Sequence, residues 1–314
     1  MTFFSTDNAY SQHLPVILAS VWAEFPWLAR NQLAVTGLIY DPPYPVNTGG
    51  ALAQDDFWRL PIQGFSYRGV EPLYPASVVK LFYLVACHEW LERGMLPACA
   101  ETDRALRDMI MDSSNDATGY VLDVLTGTTS GPSLPPDPFA TWKHQRNIVN
   151  RYFQSLGWVE MESINVNQKT WGEGPYGREN DFVGVQRENR NKLTTEATAR
   201  LMHSIVGGVA VTAERSQAMM NLMKRSLDRD QLRADPENQV MGFIGEGLAL
   251  ESQVWSKAGW TSQVRHDCAY AEVPGKAPFL LVVFTEGKTA SQNEDLIPFL
   301  TTQVVQMLPE QQFQ

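Results

Sequence analysis

The stretch from Val78 to Cys87, VVKLFYLVAC, is hydrophobic at every position but one, and the exception is the charge of Lys80. The pattern continues to Glu92 and stops at Arg93-Gly94, which makes a helix of about four turns. A helix apolar on every side has no face to offer water and has to be enclosed by other elements. An ammonium group in such a place is costly unless it is paired, neutralised or lining a site. Lys80 therefore demands a reason.

Ser77 lies three residues earlier, on the same helical face, where the amine can accept or share the hydroxyl proton. Pro75-Ala76-Ser77 sets the serine at the helix start, where free backbone N–H groups can stabilise an oxyanion. The plainer alternative is a capping serine followed by a lysine that snorkels to the surface. A capping serine prefers Glu or Gln three positions on, however, and a cation in the first turn opposes the helix dipole. Of the eight lysines, Lys80 alone has a serine three residues before it.

Around this segment the spacing of apolar residues predicts a helix over Leu14 to Leu28, a strand over Gln32 to Tyr40 ended by Asp41-Pro42-Pro43, a polar stretch from Val46 to Asp56, and a strand over Gly64 to Val70. Helices follow at Thr102 to Met111, from Asn115 and at Gln145 to Leu156, with a loop over Thr126 to Pro138. Asn165 to Lys192 is a second long polar stretch, and segments of that length inside a domain are often functional. Helices are expected after Thr195 and over Ser216 to Leu227. Gln253 to Ser256, Cys268 to Val273 and Phe279 to Thr285 read as antiparallel strands, and Glu294 to Leu308 as a closing helix. The fold class is α+β: an antiparallel sheet built from both chain ends and flanked by helices (1–72 and 213–314), with an inserted all-helical lobe (73–212). The active site is expected between them.

Two further groups carry chemistry. Ser113-Ser114-Asn115 falls between two helices, where helix capping is the ordinary explanation. Lys257-Ala258-Gly259 falls on a late strand, where the missing side chain of Gly259 lets a substrate approach. Ser-x-x-Lys at the head of a buried helix, Ser-x-Asn between helices and Lys-x-Gly on a late strand, in that order, resemble the motifs of class A β-lactamases and penicillin-binding proteins. Leu193-Thr194-Thr195 is similar to the segment after the Ω loop of those enzymes, and the likeness spans about Gln32 to Leu308.

The resemblance implies that Ser77 forms an acyl-enzyme with Lys80 as base, and that Ser113 passes a proton to the leaving nitrogen. It also implies that Asn115 holds a substrate amide, that Lys257 attracts a carboxylate, and that the N–H groups of Ser77 and Trp260 form the oxyanion hole. Ala258 departs from the family's Thr or Ser, so Thr261, Ser262 or Arg265 has to replace that hydroxyl. Ser114 stands where class A enzymes usually have Asp. The Ω-loop glutamate that activates the deacylating water is not in its usual pattern; Glu179 is the leading candidate, with Glu173 and Glu188 competing. Without such a glutamate the acyl-enzyme persists. The readings left open are a β-lactamase-like hydrolase, a D-alanyl-D-alanine peptidase or esterase/amidase of the same fold, and an inactive binding protein. The substrate expected is a small-molecule or peptide amide.

Composition excludes other classes. With 44% hydrophobic and 19% charged residues the chain has material for a large core. A net charge of −10 without a basic cluster makes nucleic acid an unsuitable partner. No Lys or Arg precedes Arg30 and no window approaches a membrane span, so neither an export signal nor a spanning helix is expected, although proteins of the family normally act outside the cytoplasm. Cys87, Cys99 and Cys268 are expected as free buried thiols. The five histidines show no ligand pairing, and no metal or other cofactor is expected.

Overall fold

The computed structural model describes residues 3–40 and 52–310. The stop at Asp41-Pro42-Pro43 and the polar stretch up to residue 51 lie outside the described residues. The chain divides into two compact units, Met1–Glu71 with Thr194–Gln314, and Pro72–Leu193. Its helices begin with α1 (Ala9–Glu24) and α2 (Gln54–Arg59) in the first unit. The second unit holds α3 (Lys80–Glu92), α4 (Ala100–Ile110), α5 (Asn115–Thr126), α6 (Pro136–Arg146), α7 (Ile148–Ser155) and α8 (Gly177–Val183). The first resumes with α9 (Thr195–Val206), α10 (Ala213–Met223), α11 (Arg229–Ala234), α12 (Lys288–Gln292) and α13 (Leu296–Met307).

The sheet unit contains strands β1 (Leu33–Ile39), β2 (Gln63–Tyr67), β3 (Lys224–Arg225), β4 (Gln253–Thr261), β5 (Val264–Glu272) and β6 (Phe279–Glu286) in the order β2-β1-β6-β5-β4-β3, every pair antiparallel. Both chain ends thus contribute, as the strand order along the sequence requires. Val35, Ile39, Leu281 and Val283 point into one core with Ile17 and Val21 of α1 and Leu300 and Val304 of α13. Thr36, one residue out of phase, faces the other way and meets Thr195 of α9, Oγ1 to Oγ1 at 2.7 Å. All of β1 is buried because helices cover both faces.

That second covering layer moves the expected boundary at 212/213. It falls instead between Leu193 and Thr194, since α9, buried along nearly its whole length, packs on β1, β5 and β6.

In the helical unit α3 is enclosed by α4, α5 and α7, with Phe82 against Phe153 and Trp90 Nε1 donating to Leu125 O at 3.1 Å. Two loop expectations change. Pro136 sits at the first positions of α6, so the loop after α5 ends earlier and the helix expected at Gln145 becomes two, divided at Asn147. Residues 165–192 form a closed loop rather than a structureless one. Asn165 and Lys192 exchange backbone hydrogen bonds of 2.8 and 2.9 Å, and α8 lies inside. Asn191 Oδ1 accepts from the N–H groups of Asn167 and Gln168 while its Nδ2 donates to Gln168 O. Asparagine side chains here replace the missing strand and helix partners of the backbone.

Candidate active site

Ser77 is in a 3-10 turn, Ala76–Val79, that runs directly into α3. It is partly exposed, between the buried Ala76 and Val78. Ala76 has φ 46°, in the left-handed region that an L-residue with a Cβ avoids. Ser113 has φ 56°. Only four non-glycine residues among those described have positive φ, and two of them adjoin or belong to the predicted catalytic set, where strain of this kind tends to gather.

Lys80 is fully buried. Its Nζ donates to Ser113 O at 2.5 Å, Ser113 Oγ at 3.1 Å and Asn115 Oδ1 at 3.0 Å. Burial lowers the pKa of its amine from 10.5 to about 7, because the charged form loses hydration that three dipoles do not fully replace. Near neutrality both forms are therefore populated. In the neutral form the nitrogen keeps two donors, enough for Ser113 O and Asn115 Oδ1, and turns its lone pair to the Ser113 hydroxyl. Among the described residues the Ser77 hydroxyl itself makes no hydrogen bond. Ser114, between the two contacting residues, caps α5 by accepting from Ala117 N at 3.2 Å. Capping thus explains the middle residue of the Ser-Ser-Asn triplet, while its two neighbours face Lys80.

Glu179 is placed differently from Ser113 and Asn115. It is fully buried in α8, and its Oε1 accepts from Arg146 Nη2 at 2.6 Å and from Ser130 Oγ at 2.8 Å. Arg146 also reaches Asp123 Oδ1 at 3.2 Å and lies over the Trp142 ring, and Lys169 Nζ joins Asp123 to Ser130. Among the described residues Glu179 shares no partner with the Lys80 group. Its rivals are no better placed: Glu173 and Glu188 are exposed, and Glu188 accepts from Gln186 N at 3.0 Å.

In the sheet unit Lys257, Gly259 and Trp260 lie on β4, opposite Cys268, His266 and Arg265 of β5. Lys257 is fully buried, and its Nζ donates to Gln239 Oε1 and, at 2.7 Å, to Ala258 O. Trp260 is 54% exposed and its Nε1 donates to Ser291 O. Arg265 does not offer a free guanidinium. Its Nε donates to Ser291 O at 2.9 Å, its Nη2 reaches Glu294, and the group lies over the rings of Phe243 and Trp260. His266 is buried in β5 and accepts from Thr285 N through Nδ1 at 3.0 Å. Beside it the Asp267 carboxyl is pushed up to about 7 by burial, with Oδ2 accepting from Ile244 N.

Gln239 and Arg146 were invisible to sequence reasoning, because a lone Gln in a loop and a lone Arg in a helix carry no spacing signal. Among the described residues no group of three or more His, Cys, Asp or Glu is arranged to hold a metal, and no helix is long and apolar enough to cross a membrane.

An antiparallel sheet from both chain ends, a helical insertion opening on an enclosed helix, and a buried lysine shared by a Ser and an Asn define a β-lactamase-like hydrolase. Residues 101–308, more than half of the chain and including Ser113, Asn115 and Lys257, match the Beta-lactamase enzyme family, and the chain belongs to it. The fold is similar to that of a β-lactamase from Sphaerobacter thermophilus DSM 20745, with TM-score 0.61 and 18% identity over 92% of this chain and 95% of that one. It is similar also to a mutant of PBP-A solved as its acyl-enzyme complex with penicillin G, with TM-score 0.60 and 14% identity over 93% and 96%. A class A β-lactamase variant of the last common ancestor of Gram-negative bacteria gives 0.58 and 15% over 95% and 97%. No curated protein matches the chain by sequence.

Proposed function

We propose that the protein is an acyl-transferring serine hydrolase in which Ser77 attacks a lactam or amide carbonyl and Lys80 takes its proton. The observation that carries this reading is the state of Lys80: a fully buried amine with pKa about 7, held by Ser113 and Asn115. A base titrating near the working pH combines availability with proton affinity. The Ser77 Oγ–carbonyl bond forms as the proton passes to Lys80, and the C–N bond breaks as Ser113 gives its hydroxyl proton to the leaving nitrogen and takes the proton from Lys80 in its place. Asn115 orients the amide, and the N–H group of Ser77 at the head of the helix receives the oxyanion.

The placement of Glu179 favours penicillin-binding behaviour over rapid lactam turnover. Glu179 is sealed from solvent, with Oε1 held by Arg146 and Ser130, and among the described residues it shares no partner with the Lys80 group, so it is not placed to activate a water at acyl-Ser77 and the acyl-enzyme is long-lived. The test is mass spectrometry after exposure to benzylpenicillin, with a chromogenic cephalosporin as the turnover assay. The expected result is a stable adduct that maps to Ser77 and is lost in Ser77→Ala. No adduct from either lactam would support an inactive binding protein instead, and fast cephalosporin turnover would restore the β-lactamase reading.

A further inference from the structure

Ala76, whose φ of 46° lies in the left-handed region, immediately precedes Ser77, and strain of that kind persists only where the surroundings over-determine it. On the helix side Val78 N donates to Pro75 O at 3.1 Å, and Val78 and Val79 are buried. On the other side the brace is the end of the 165–192 loop. Leu73 and Leu193, both buried, exchange backbone hydrogen bonds of 2.8 and 2.9 Å. Tyr74 comes next, and the guanidinium of Arg190 lies over its ring, 3.4 Å from the centre.

The backbone of Arg190 is itself held. Its N–H donates to Arg187 O at 3.1 Å, its carbonyl accepts from Asn165 Nδ2 at 2.9 Å, and the next residue, Asn191, is pinned through its side chain. Among the described residues the Arg190 guanidinium has no hydrogen bond or ion pair, so the Tyr74 ring is what fixes it. A planar cation seated on an aromatic face gains from the ring quadrupole. Pro75 has a locked φ and narrows the backbone choice of Tyr74. A displaced Tyr74 ring is therefore felt at Ala76 and Ser77 instead of being absorbed between them.

We propose that Arg190 is a positioning residue for acylation: by clamping the Tyr74 ring it holds the Pro75-Ala76 turn in the conformation that presents the Ser77 hydroxyl. The inference rests on the reading of Ser77 as the acylated nucleophile. All of the residues it uses belong to the helical unit. It gives the 165–192 loop a part in the first half of the reaction, one that asks for no carboxylate from that loop.

The measurement is the rate constant of Ser77 acylation at saturating benzylpenicillin, read as adduct by mass spectrometry. R190A and Y74L are each expected to lower it about tenfold, and the double variant no further, because each single change removes the same contact. Y74F, which keeps the ring, restores the rate to within about twofold, and the half-saturating concentration moves by less than about twofold throughout. A merely structural role would lower the melting temperature and leave these rate constants alike. An unaltered rate constant in R190A, or losses that multiply in the double variant, overturns the inference alone. Should R190A fold poorly, Y74L against Y74F carries the same test, and equal rates for those two overturn it. Absence of any Ser77 adduct in the unaltered protein overturns it together with the acylation reading.

Discussion

Arg146 and Glu179 meet at 2.6 Å with both side chains sealed from solvent, one on α6 and the other inside the polar loop that the sequence offered as the home of a catalytic base. Arg146 also reaches Asp123 at 3.2 Å and lies over the Trp142 ring, so removing Glu179 leaves a buried guanidinium with one carboxylate partner in place of two.

Glu179→Gln is accordingly expected to lose stability, by about 3 kcal/mol, measured by urea unfolding. Hydrolysis of acyl-Ser77, followed by mass spectrometry, should change by less than about threefold, since general-base removal commonly costs a hundredfold or more. A collapse of deacylation with unchanged stability would make Glu179 the water-activating base after all.

The Lys80 amine, lowered to about 7, sets a pH profile. If the neutral amine is the base, acylation of Ser77 rises with pH through about 7 and then levels off. The same shift has a stability sign. The unfolded chain binds the proton up to its ordinary pKa near 10.5, so burial of Lys80 penalises the fold fully below about 7 and progressively less up to 10.5. Stopped-flow acylation between pH 5 and 9 checks the first statement. A flat profile would remove Lys80 from the base role.

Asn191→Ala removes three accepted bonds, from the N–H groups of Asn167 and Gln168 and from the Tyr83 hydroxyl, and one donated bond at the base of the 165–192 loop. A loss of about 2–4 kcal/mol is expected, as buried N–H groups of Asn167 and Gln168 become unsatisfied. Amide exchange should accelerate between residues 165 and 192, and uniform protection there would contradict the closure.

Of the three cysteines only Cys99 is exposed, against the expectation of buried thiols. Its thiol pKa is lowered by the hydrogen bond to Thr102 at the head of α4, whereas burial raises that of Cys268. Brief iodoacetamide treatment of the native protein should give one adduct, on Cys99, and C99S should give none.

How far the chain could be read without coordinates differs from element to element. The apolar run at Val78 declared an enclosed helix, and the cost of its one charge singled out Lys80, because hydrophobic period and burial cost are local properties of a sequence. The same locality marked β1 and β6, whose β-branched runs suit strands covered on both faces, whereas β5, which begins at Val264, was legible only from Cys268 because Arg265, His266 and Asp267 interrupt its apolar pattern. Order along the chain was enough to assemble the sheet from both ends. Pairing between distant polar side chains has no such local signature. That Glu179 would be consumed by Arg146, that Asn165 and Lys192 would close a loop, that α9 would pack on the sheet, and that Gln239 would settle on Lys257 were decided by the tertiary structure. Each depends on which groups arrive within hydrogen-bond distance once the core has formed, and a buried polar atom takes whatever partner that arrangement supplies.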